Sequence, residues 1–116
     1  MAVTSTQTSN GGVANIAVGR YLSTGTAAAF KITTGFKPRY VKVVNLTAAL
    51  TGLCQMEWYE GMTDAYGVKT YDAGTSETGV EMITSLGITV AEDGFTVGLD
   101  TDLNVTSEQL SWIAIG

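Results

Sequence analysis

Few residues of this chain are of a type and spacing that could do chemistry. Asp100-Thr101-Asp102-Leu103-Asn104 opens like a calcium-binding loop, with oxygen-bearing side chains at alternate positions. The rest departs from that pattern: the sixth position is Val105 where the sharp turn needs glycine, and the twelfth is Ser111 where a bidentate glutamate belongs. The segment reads as a polar loop between strands, and no metal is expected, although its oxygens could take one loosely held calcium ion. Glu57 and Glu60 flank Trp58 and Tyr59, and carboxylate pairs beside aromatics serve glycoside hydrolysis. In a regular strand these two carboxylates fall on opposite faces and cannot converge. Sugar binding without catalysis, by Tyr59 with Tyr66 or Tyr71, is the other use of those aromatics.

Nucleophilic chemistry lacks an activating base. The chain has no histidine, which removes imidazole relays and imidazole metal sites. No Ser-x-x-Lys spacing occurs, and the glycines form no phosphate-binding loop. The single Cys54 rules out an internal disulfide and a four-cysteine zinc site. No catalytic residue and no cofactor is therefore assigned. A protein without chemical tools acts through its surface, as a structural or binding module.

The composition bears on what that surface meets. The 116 residues fit one domain, with 45% apolar and only 15% charged residues, against about 25% charged in typical domains. Either hydroxyl-rich surface or partner subunits must cover the exterior, because large exposed apolar patches are uncommon in soluble monomers. Five of the six basic residues, Arg20, Lys31, Lys37, Arg39 and Lys42, precede the first acidic one, Glu57; from Glu57 onward all eleven acidic residues meet only Lys69. The two halves either neutralise each other within the fold or present patches of opposite sign to neighbouring copies. A net charge of −5 disfavours nucleic acid, whose phosphates need Lys and Arg. The start MAVTSTQTSNGG carries neither a cationic nor an apolar signal region, and no apolar run approaches the length of a membrane span. Synthesis in a reducing cytoplasm, with no membrane partner, is the expectation.

The elements that must position these residues read as short strands. Residues 1–12 are polar and form an expected flexible arm; residues 13–116 form one all-β domain, an antiparallel sandwich or barrel of jelly-roll type. Expected strands cover 13–22, 27–34, 39–47, 53–60, 68–71 and 109–115. In the fourth, Cys54, Met56 and Trp58 share one face against Gln55, Glu57 and Tyr59. LGITVAEDGFTVGLD reads as a hairpin turning at Asp93-Gly94. That register sets Val90 opposite Val97 and Ile88 opposite Leu99, with Phe95 extending the same face. In the last strand Leu110, Trp112 and Ala114 oppose Ile113 and Ile115, so both faces are apolar. Such a strand is central in a sandwich or lies at a subunit interface.

TGFKPRYVKVVNLT, MEWYEGM and ITSLGITVAEDGFTVGLDTDLNVTSEQLSWIAIG together resemble small β-rich virion proteins of tailed bacteriophages, most closely the head decoration or cement proteins. The resemblance spans most of residues 33–116 and lies in texture and phrase order. It implies a homo-oligomer, a trimer or a dimer, that docks on the major capsid protein from outside and reinforces the shell. It also implies that the arm (Thr4, Thr6, Thr8) or the basic strand face (Lys37, Arg39, Lys42) touches that shell. The rival readings are a tail-fibre module that binds host glycan, and a minor tail or capsid subunit.

Overall fold

The computed structural model describes residues 15–22, 28–47, 53–72 and 78–116. Among them are eight strands: β1 (Ile16–Leu22), β2 (Phe30–Thr33), β3 (Tyr40–Asn45), β4 (Leu53–Tyr59), β5 (Tyr66–Asp72), β6 (Thr78–Ala91), β7 (Gly94–Val97) and β8 (Gln109–Ile115). All pair antiparallel in one sheet of order β1-β8-β3-β4-β5-β6-β7-β2. The chain is all-β, as expected, and its single sheet curls on itself. The two edge strands meet through side chains, with the Tyr21 and Phe30 rings stacked 4.4 Å apart. The expected arm, with Thr4, Thr6 and Thr8, lies outside the described residues.

Period-two alternation decides which side chains go inside. In β3, Val41, Val43 and Asn45 are buried while Tyr40, Lys42 and Val44 sit on the outer face. In β4, Cys54, Met56 and Trp58 are buried, opposite Gln55, Glu57 and Tyr59. Strand β8 lies between β1 and β3, with Leu110 and Ala114 fully buried and Trp112 packed against the core. The Trp112 ring meets Phe95 of β7 edge-on at 5.4 Å. That contact fastens the short β7–β2 flap over the broad part of the sheet.

The sheet turns its corner within β6. Its first half pairs with β5 up to Ile83 opposite Gly67, and Ile88 then pairs with Tyr66, so residues 84–87 bulge out of the ladder. From Ile88 onward the same strand also pairs with β7. Bulges bend the strand that carries them. At this one Leu86 takes φ +62°, and a Cβ on Gly87 would lie 2.4 Å from the Tyr66 carbonyl oxygen. Only glycine lets the two backbones approach that closely.

The hairpin forms with its expected faces in a different register. Ile88 pairs with Val97 and Val90 with Phe95, so the turn residues are Glu92 and Asp93. Ile88, Phe95 and Val97 are fully buried, and Val90 packs against the core. Leu99 falls outside β7 and is 38% exposed, which corrects its expected place opposite Ile88. The shift is two residues, which keeps every side chain on its own face. The cause is β2. Thr33 pairs with Gly94, and the Asp93 carbonyl accepts hydrogen bonds from the Thr34 and Gly35 amides at 2.9 and 3.0 Å. Gly94 is needed for this close approach and not as a turn residue: a Cβ there would stand 2.0 Å from the Ile32 carbonyl oxygen. Neither Glu92 nor Asp93 has positive φ, so the turn is not the expected type I′.

Strand directions set the two ends of the curl. One end carries the β2–β3, β4–β5 and β6–β7 connections. The other is closed by the 98–108 loop, whose Leu103 side chain is fully buried as a plug. Two asparagines hold the plug. Asn45 Nδ2 donates to the Leu103 carbonyl at 2.9 Å. Asn104 Nδ2 donates to the Ala28 and Gly98 carbonyls at 2.9 and 3.0 Å.

Candidate interaction surfaces

The D-x-D-x-N segment lies in the plugging loop, and an internal cation already sits in it. Lys69 points inward from β5 and is only 6% exposed. Its ammonium lies 3.1 Å from Asp100 and 2.6 Å from Asp102 Oδ2, and 5.0 Å over the Tyr71 ring. Asp100 Oδ1 also accepts the backbone amides of Asp102 and Leu103 at 3.0 and 3.2 Å, which folds the loop around the carboxylate. Burial works against the charge on Lys69, but its hydrogen bonds to Asp102 and Asp100 outweigh that cost and hold it above the ordinary lysine range. The oxygens that resembled a calcium site thus clasp an ammonium group. Among the described residues no group of three His, Cys, Asp or Glu is disposed to hold a metal.

Cys54 lies beside this cluster. Burial, with Asp100 nearby, pushes its thiol up to about 12, so it stays a neutral packing group at physiological pH.

Glu57 and Glu60 do not form a pair. Glu57 stands on the outer face, and its Oε2 accepts the Tyr40 hydroxyl at 2.6 Å and the Tyr59 hydroxyl at 3.0 Å. Glu60 follows β4 in the turn, its amide bonded to the Arg39 carbonyl. Burial and the bond to Glu57 raise the Tyr40 phenol well above its usual range. Tyr59 is exposed on the outer face, whereas Tyr71 turns inward against Lys69 and the core. Tyr59 and Tyr71 therefore do not share one platform.

The three basic residues expected to touch a partner are split between two surfaces. Lys37 and Arg39 line a groove of about 530 Å³ at the open end of the curl, facing Glu60 and Asp64, with Trp58 and Met62 at its apolar wall. Lys37 also reaches Glu92 at 3.5 Å, and Lys31 reaches Asp93 at 3.0 Å. These two contacts carry part of the expected neutralisation between the halves of the chain. Both are exposed pairs, worth at most about 1 kcal/mol.

Lys42 lies on the outer face of β3, beside Val18, Val44, Leu46 and Ile113, which border a shallow depression of about 310 Å³. This face carries the surplus of apolar residues that the composition required. Val18 is 70% and Val80 69% exposed, with Ile16, Leu22, Met82 and Ile115 also open. Simple alternation would put polar side chains at those positions. Sequence reasoning anticipated the two-sided character of β8. It missed Val80 and Met82, whose pattern points outward, and the Lys69 clasp.

Comparison with protein families, with characterised proteins and with solved structures gives no match for this chain.

Proposed function

We propose that this chain is a non-catalytic structural protein of a tailed-phage particle, which binds the outside of the head as a homo-oligomer and stabilises the shell. The observation that carries the proposal is the outer sheet face, where Ile16, Val18, Val80, Met82 and Ile115 stand exposed. Apolar side chains in that number are covered by a partner in a working protein. The titratable residues support the same reading: Lys69, Asp100 and Asp102 are tied into holding a loop, and no histidine is available for proton transfer. The resemblance of residues 33–116 to decoration proteins supplies the kind of partner, a repeating capsid lattice.

The physics of such a role is mass action. A protein that binds the assembled shell and not its free subunits shifts the equilibrium toward assembly at every occupied site. A net charge of −5 favours the outer surface over an interior packed with phosphate. The groove holding Lys37 and Arg39 is the surface offered to the lattice, while the outer face around Lys42 is open to another copy of the chain. Cryo-electron microscopy of the source particle tests the proposal. Hundreds of copies in regular array on the head are expected. Density for the chain confined to the tail would overturn it and favour the glycan-binding module, for which a glycan array would then show Tyr59-dependent binding.

A further inference from the structure

The outer face has a charge pattern with a built-in two-fold relation. Across the six strands from β1 to β6 the register aligns Val18, Ile113, Lys42, Glu57, Val68 and Met82 in a single row. Read from either end, that row runs apolar, apolar, charge, with the sign of the charge reversed. The neighbouring row, Arg20, Ser111, Val44, Gln55, Thr70 and Val80, puts its one charge on the basic side. The half of the face formed by β1, β8 and β3 thus carries Arg20 and Lys42 and no acid. The half formed by β4 and β5 carries Glu57 and, at the strand end, Asp72. Lys42 sits directly across from Glu57 within the chain yet makes no ion pair among the described residues. Glu57 Oε2 is instead taken by the two tyrosines.

We infer that a second copy of this chain covers this face, related by a two-fold axis that runs parallel to the strands between β3 and β4. Such an axis lays the basic half of one copy on the acidic half of the other. Lys42 then meets Glu57 of the second copy, and Glu57 meets its Lys42. Val18 meets Met82 and Ile113 meets Val68, each contact made twice. This is an isologous interface, in which one patch is complementary to itself, and aligned packing of two sheet faces supplies its geometry. A partner of a different kind has no need of this sign reversal about the centre of the row. A second copy does, because only sign reversal makes a two-fold contact attractive instead of repulsive. The inference deepens the oligomeric part of the proposed function by naming the surface.

The test is sedimentation equilibrium of the full chain with charge-swapped variants, with circular dichroism as the check on folding. Wild type is expected to dimerise. Lys42→Glu alone and Glu57→Lys alone each set like charges together twice per dimer, and should weaken self-association about 100-fold or more. Mixing the two single variants restores both ion pairs, so a heterodimer of near wild-type affinity is expected, and the double swap K42E/E57K should dimerise with itself. Val18→Asp, an exposed position, should give a folded monomer. A wild-type monomer at all soluble concentrations overturns the inference. So does a larger oligomer indifferent to these changes, or a mixture of single variants that stays monomeric. A dimer of this kind that never binds heads would leave the inference standing and defeat the decorating role. A strict monomer that binds heads would do the reverse.

Discussion

Lys69→Met is expected to destabilise the fold by about 3–5 kcal/mol, read as a fall in the urea midpoint at unchanged slope. The substitution keeps the bulk of the side chain and removes the cation from between two carboxylates. Asp102 is half-exposed and can turn to water, but Asp100 is buried, with its side chain 10% exposed. Its charge would be left uncompensated in the loop that plugs the curl. Adding Asp100→Asn to Lys69→Met should recover part of the loss, because the amide can still accept the Asp102 and Leu103 amides that Asp100 accepts now. The pH dependence follows from the direction of the Lys69 shift. A lysine held above its ordinary range binds its proton more tightly folded than unfolded, so its stabilisation is complete below the unfolded lysine value, near 10.4. It is lost as pH rises through the higher folded value. Wild type should therefore lose stability in strong alkali by a contribution that Lys69→Met lacks. An unchanged urea midpoint in Lys69→Met would show that the clasp contributes nothing net.

Gly94→Ala is the second change with a large expected effect, about 3 kcal/mol or more, at the upper end of overpacking costs. The added methyl would meet the Ile32 carbonyl oxygen at 2.0 Å, and backbone cannot rotate away as a side chain can. Strand β2 has four residues and, among the described residues, pairs only with β7, so the expected failure is detachment of that edge, with exposure of Ile32 and loss of the Tyr21–Phe30 stack. Amide hydrogen exchange should show protection falling first at residues 30–33. If Gly94 served the turn alone, alanine would disturb residues 92–95 and leave β2 protected.

Gly94 also shows how far the sequence could be read. Asp-Gly between two alternating apolar runs is a strong turn signal, and it located the hairpin and both of its faces. The register came out two residues away because the glycine answers to a strand some sixty positions earlier in the chain, which no local pattern contains. Strands β3 and β4 were legible because their apolar residues alternate toward a single core, and β8 because it is a short run that is apolar on both faces. The first half of β6 was not, because its apolar residues Val80 and Met82 face outward, so periodicity carried no sign of a core-facing strand. Lys69 had a readable hint: it is the one basic residue in an acidic half of the chain, and alternation within VKTY puts it on the face opposite Val68 and Thr70. Its partners, thirty residues on in an irregular loop, became visible only with the fold. The outer-face row of charges depends on five pairings at once and is likewise invisible in one dimension.

The role as a shell-binding protein is tested most directly by titrating the purified chain onto phage heads that lack it, while following the temperature at which the heads come apart. Saturable binding at a copy number set by the capsid lattice is expected, with a dissociation temperature that climbs as the sites fill. Heads that bind no protein, or that bind it and fall apart at the same temperature, would contradict the account.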